Sequence, residues 1–153
     1  MIKSKKNNVT VLKSQIVNSF MKNGKKHTGE KILLKFSKSL QRSTNKSFRS
    51  LIQTAIINVA PAFKLNEQTM KKGKRKSKKI IPSFIMKDSL RIMTALKSIK
   101  DVARKDKSPG SFYEKLNAEI LDSSSFKGVS TEQKTKLQNQ VLLNKRYLAK
   151  FRW

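Results

Sequence analysis

The chain has 153 residues, with 36 Lys+Arg against 9 Asp+Glu, a formal net charge of +27 and no cysteine. Disulfides, thiolate metal sites and cysteine nucleophiles are therefore excluded. No apolar run approaches the roughly 20 residues that a membrane-spanning helix needs. A surplus of this size opposes compaction, and it becomes favourable only where a polyanion takes it up and releases counterions.

Positions 1–10 read as a basic N-terminal arm carrying Lys3, Lys5 and Lys6. The arm lacks the apolar stretch of a secretory signal, and it is Lys-rich where organellar transit peptides are Arg-rich. Positions 11–153 read as one helical domain. A first helix is predicted over about Val11 to Lys22, with Leu12, Ile16, Val17 and Phe20 on one face, ended by Asn23-Gly24. A second, about Gly29 to Arg42, carries Ile32, Leu33, Phe36 and Leu40. The third, about Ser47 to Val59, carries Phe48, Leu51, Ile52, Ala55, Ile56 and Val59, and Pro61 stops it. Each follows the i, i+3, i+4, i+7 spacing of one buried stripe.

The period then changes. Ala62 to Asn66 alternates, and Ile80 to Ile85 is a short β-prone run. Between them lies Lys71-Lys72-Gly73-Lys74-Arg75-Lys76-Ser77-Lys78-Lys79, seven cations in nine positions. The segment at about 62–85 is therefore predicted as a two-stranded ribbon with a long basic tip. Pro82 marks an edge position, where a ladder donor can be lost.

Helices resume over about Lys87 to Lys105, with Leu90, Met93, Leu96, Ile99, Val102 and Ala103 on one face. After Pro109-Gly110, Ser111-Phe112-Tyr113-Glu114 has the form of a capping box opening a helix that buries Phe112, Leu116 and Ile120. Ser130-Thr131-Glu132-Gln133 reads as a second box, starting a terminal helix with Leu137, Val141, Leu148 and Phe151. The fold class is mainly α: a six-helix bundle-like body with a protruding two-stranded basic β-hairpin between helices 3 and 4.

Catalysis has no foothold. The nine acids are scattered, and two of them, Glu114 and Glu132, fall within the capping boxes. His27 sits in a polar interhelical turn with no visible partner. No nucleophile elbow or Gly-rich phosphate loop is present. No enzyme activity, cofactor, metal or small-molecule substrate is expected, nor any membrane.

The cations form four candidate nucleic-acid-binding sets. They are the ribbon tip (Lys71, Lys72, Lys74, Arg75, Lys76, Lys78, Lys79), the first interhelical turn (Lys22, Lys25, Lys26), the arm (Lys3, Lys5, Lys6) and the C-terminus. There Arg146, Arg152 and Trp153 combine charge with a stacking ring. Phe63 and Phe84 flank the ribbon and either pack its root or stack on a base.

This order of elements resembles the small-subunit ribosomal protein seven family. Val17 to Lys26 is similar to that family's first-helix motif, followed by the apolar pair Ile32-Leu33. Ala55 to Pro61 is similar to its helix-to-ribbon junction, Ser111 to Leu116 to its fifth-helix opening, and Tyr147 to Trp153 to its ending. The resemblance implies binding to the 3′ major (head) domain of small-subunit ribosomal RNA and nucleation of head assembly. It implies a ribbon near the exit site, bordering transfer RNA and outgoing messenger RNA and meeting the eleventh small-subunit protein. It adds Lys87 and Arg91, at the start of the fourth helix, to the RNA-facing residues.

There are departures. The arm is shorter than in the bacterial pattern, the ribbon is Lys-rich where that pattern is rich in Arg and Gly, and Phe36 stands where a small residue is usual. With 29 Lys to 7 Arg and abundant Asn and Ile, the bias is that of an AT-rich genome. It points to a mitochondrial ribosome, with a plastid or the cytoplasm of an AT-rich organism as the alternatives. From the residues alone, an architectural DNA-bending protein with a basic β-arm also competes. Pro82, near the strand base, is poorly placed for the apolar wedge such arms insert.

Overall fold

The computed structural model of the chain describes residues 4–72 and 75–150, with side chains described over 12–69 and 78–148. The described residues form six α-helices: α1 (Ser4–Phe20), α2 (Lys26–Ser43), α3 (Phe48–Val59), α4 (Asp88–Lys105), α5 (Phe112–Ser124) and α6 (Val129–Leu143). Strands β1 (Phe63–Lys72) and β2 (Arg75–Phe84) form an antiparallel ribbon between α3 and α4, and a 3-10 helix, Lys145–Lys150, follows α6.

The apolar stripes meet in one core. Ile16, Val17 and Phe20 of α1, Leu33, Phe36 and Leu40 of α2, and Leu51, Ile52, Ala55, Ile56 and Val59 of α3 are buried together. Ala95, Leu96, Ile99 and Ala103 of α4 and Leu116 and Ile120 of α5 complete the cluster. Helix α5 packs against α2, α3 and α4, so it is the central strut. Phe36 is wholly buried. Its ring meets Phe20 edge-on at 6.4 Å and Phe48 at 5.2 Å, and Phe20 in turn meets Phe112 at 6.4 Å. Such edge-to-face contacts are favoured by ring quadrupoles, and here they lock α1, α2, α3 and the start of α5 to one another.

Three expectations are corrected. Leu90, expected in the stripe of α4, is 54% exposed, because it lines an open groove with Lys64 and Phe84 of the ribbon root. The terminal helix does not run through to the C-terminus. Helix α6 stops at Leu143, and Leu148 lies half-buried in the 3-10 helix; Phe151 lies outside the described residues. The second capping box does not form. The N-cap of α6 is Gly128, and Ser130 is already inside the helix.

The carboxylate of Glu119 does the capping instead. Glu119 is buried on α5 and accepts from the Ser130 N–H at 2.9 Å and from Ser123 Oγ at 3.1 Å. A negative group there satisfies an orphan donor and complements the positive end of α6. The approach is close enough to require glycine at position 128: a Cβ would fall 2.5 Å from Ser123 Oγ and 2.9 Å from Glu119 Oε1. The first box, by contrast, opens α5 as expected, with the Ser111 N–H donating to Glu114 Oε2 at 2.9 Å.

Glu119→Ala strands the Ser130 donor in a buried site, and it is expected to lower unfolding stability by about 1–3 kcal/mol. Glu119→Gln keeps one acceptor oxygen and costs less. Urea unfolding followed by circular dichroism checks both; equal losses would assign the effect to charge rather than to the hydrogen bond.

Candidate nucleic-acid interface

The ribbon differs from its expected shape. The strands run ten residues each, so most of the cationic stretch belongs to the ladder and not to a long loop. Phe63 pairs with Phe84 at the root, Gln68 with Lys79, Thr69 with Lys78, Lys71 with Lys76 and Lys72 with Arg75 at the far end. Only positions 73 and 74 separate the strands, and Lys74 lies outside the described residues. Two successive register positions thus match cation with cation along the backbone ladder. Because the faces alternate, cations occur on both sides of the ribbon.

The root is held firmly. Phe63 and Phe84 meet edge-on at 5.6 Å, Asn66 Nδ2 donates to Ser83 Oγ at 3.0 Å, and Pro82 is buried opposite Leu65. Helix α6 lies beside β1, and the 3-10 helix lies beside β2. This docking brings Lys79 Nζ over the Tyr147 ring at 4.3 Å, with the Arg146 guanidinium 4.9 Å from the same ring. A ring quadrupole holds a cation without neutralising it, so both charges remain available to an anion. Sequence reading gave Tyr147 no role of its own; its position beside Arg146 was the available signal.

The other candidate residues divide. Lys22, Lys25 and Lys26 are exposed around a tight turn in which Asn23 and Gly24 take positive φ of 52° and 73°. Lys26 reaches Glu30 only at 4.0 Å, with both side chains exposed, a pairing of little energetic weight. Lys87 is exposed at the N-cap of α4. Arg91 is half-buried and engaged, its Nε donating to Pro61 O at 3.4 Å and its Nη1 lying 3.6 Å from Asp88 Oδ1. It ties α4 to the α3–ribbon junction. Lys5 and Lys6 fall within α1, which begins at Ser4 rather than near Val11. Their side chains, like those of Lys71, Lys72, Arg75 and Lys76, are outside the described set, and Lys3, Arg152 and Trp153 lie outside the described residues altogether.

Three other lysines have an architectural task that the sequence did not reveal. Lys100 Nζ donates to Ser19 O near the end of α1, Lys134 Nζ to Asn58 O near the end of α3, and Lys115 Nζ to the Asp106 carbonyl that follows α4, each at 2.8 Å. Ammonium groups at helix C-termini satisfy orphan carbonyls and complement the negative dipole end. Burial, and then Arg104, pushes Lys100 below the usual lysine range; burial, and then Arg91, does the same to Lys134.

Two exposed acids, Asp106 and Glu114, are held low by local donors. The Ser108 hydroxyl and then its backbone N–H depress Asp106, and the Ser111 backbone N–H and then its hydroxyl depress Glu114. Among the described residues no group of three metal-ligating side chains assembles. A cationic ribbon braced on a helical body in this way is a scaffold for a polyanion.

The profile of the ribosomal protein S7p/S5e family matches residues 1–145. The small ribosomal subunit protein uS7c of Euglena longa is 28% identical over 146 residues, spanning 92% of this chain and 78% of that protein. The uS7c of Tetradesmus obliquus is 30% identical over 132 residues, 86% of this chain and 76% of its own length. The uS7 of Vibrio campbellii is 27% identical over 142 residues, 93% and 86% respectively. The chain belongs to the S7p/S5e family, and it is a structural, non-enzymatic protein of the small ribosomal subunit.

Two predictions separate architecture from interface. Lys134→Met should lower stability by about 0.5–2 kcal/mol while leaving the salt dependence of RNA binding unchanged. Filter binding across a salt series, beside urea unfolding, reads both. Because Glu114 has a folded pKa below its usual 4.5, its contribution is present above that pH and is lost as pH falls through the depressed value. Glu114→Gln should therefore flatten the decline of the urea midpoint between about pH 5 and pH 3.

Proposed function

We propose that the chain binds the 3′ major (head) domain of small-subunit ribosomal RNA and nucleates assembly of the head. In this reading, positions 11–153 are the RNA-binding domain, with positions 1–10 an accessory basic contact. The ribbon borders the exit site, near departing transfer RNA and messenger RNA and beside the eleventh small-subunit protein. The observation that carries the reading is the register of the ribbon, whose ten-residue strands take most of the cationic stretch into the backbone ladder, with Lys71 paired to Lys76 and Lys72 to Arg75. Uncompensated like charge on a built ribbon becomes favourable only when phosphates neutralise it.

Affinity is then largely electrostatic, with selectivity from the shape of a folded RNA junction. The Lys22–Lys26 turn, Lys87, Arg146, Arg152 and Trp153 extend the contact around the body, and Arg91 contributes by holding the ribbon root. The Lys/Asn/Ile bias supports an organellar ribosome, and in our reading a mitochondrial one; sedimentation of the tagged protein from fractionated organelles distinguishes that compartment from plastid and cytoplasm.

Replacing Lys74, Arg75 and Lys76 together with Gln should reduce the log–log salt slope of head-domain RNA binding by about 2. An unchanged slope would remove the ribbon from that RNA. Tighter binding to duplex DNA than to the RNA would overturn the assignment in favour of the DNA-bending alternative.

A further inference from the structure

At the ribbon root a groove of about 300 Å³ opens between β2, the segment after it and the first turns of α4. Its lining includes Phe84, Met86, Leu90, Lys64, Lys87 and Thr94. Three of its apolar members are unusually open to solvent, Phe84 at 45% exposed, Leu90 at 54% and Met86 at 82%, while Ile85 is buried. Lys64 and Lys87, both exposed, flank them. Phe84 packs against Phe63, and beside it a thioether and a leucine stand open on the surface of so charged a chain, an apolar grouping of the kind that marks an interaction site.

We propose that this groove receives one unpaired nucleotide of the bound RNA, its base stacking on Phe84 and its flanking phosphates meeting Lys64 and Lys87. The inference rests on the RNA-binding reading above and deepens it by naming a base site where the ribbon supplies phosphate contacts. Three observations favour a nucleotide over an acidic protein segment. The volume lies at the lower end of the roughly 300–1,000 Å³ range of small-molecule pockets, suited to one base and sugar. The Phe84 ring is fixed beforehand by its edge-on contact with Phe63 at 5.6 Å, so little side-chain freedom is lost when a base stacks on it. The cations stand at the rim while the floor is apolar, the division that a base with charged phosphates on either side requires.

The test uses the full chain and two RNA hairpins of equal length, one fully paired and one with a two-nucleotide bulge. Phe84→Ala should weaken binding to the bulged hairpin by about tenfold, leave the paired hairpin unaffected and leave the salt slope intact. Phe84→Tyr should restore the affinity, and helical circular dichroism checks that each variant is folded. In Phe84→Trp, the fluorescence added over that of the unaltered chain should be quenched by the bulged hairpin and not by the paired one.

Equal loss on both hairpins, or no quenching by either, would overturn the base site while salt-dependent RNA binding by the unaltered chain leaves the broader reading standing. Quenching by poly-glutamate in place of RNA would reassign the groove to an acidic protein. Absence of RNA binding by the unaltered chain would overturn both readings together.

Discussion

Cations outnumber acids by 36 to 9, and a compact fold has to be built without neutralising most of them internally. Among the described residues, the ion pairs are Lys26 with Glu30 and Arg91 with Asp88, the first of them exposed and long. The structure turns instead to the negative charge that every helix carries at its C-terminus. Lys100, Lys115 and Lys134 each place an ammonium on a carbonyl at or just beyond the end of α1, α4 or α3. Those carbonyls need donors in any case, so positive charge is accommodated where it also completes hydrogen bonding.

The scarce acids are placed by the same logic at the opposite ends. Asp88, Glu114 and Glu132 lie in the first turns of α4, α5 and α6, and buried Glu119 reaches across to the start of α6. Fixing α6 matters beyond its own stability. Helix α6 braces β1, the 3-10 helix after it braces β2, and a two-stranded ribbon alone is marginal in water. The body thus holds a cationic ladder that could not hold itself. In the proposed function, association with RNA relieves a repulsion that folding leaves in place.

The ribbon also shows where reading a sequence loses resolution. Lysine is depleted in strands, so by local propensity Lys71 to Lys79 reads as a tip between short strands. The ladder nevertheless continues through it, because backbone pairing begun at Phe63 and Phe84 is propagated by register and supported by neighbouring elements. Ser130 misled for a related reason. Its spacing to Gln133 fits a capping box, but Glu119, eleven positions upstream, caps the helix from another element and moves its start to Val129.

What the sequence determined by itself was whatever depends on local order: the number of helices, their stripes of Leu, Ile, Val and Phe, the Ser111–Glu114 box, the glycine turn after α1 and the charge that demands a polyanion. What only the tertiary structure decided was which lysines serve the fold and which face outward, and that Tyr147 meets Lys79. It also decided that Phe84 stays half-open while Phe36 is sealed. These outcomes join residues tens of positions apart, and identical lysines in similar local sequence differ only in whether a helix end from elsewhere in the chain lies within reach.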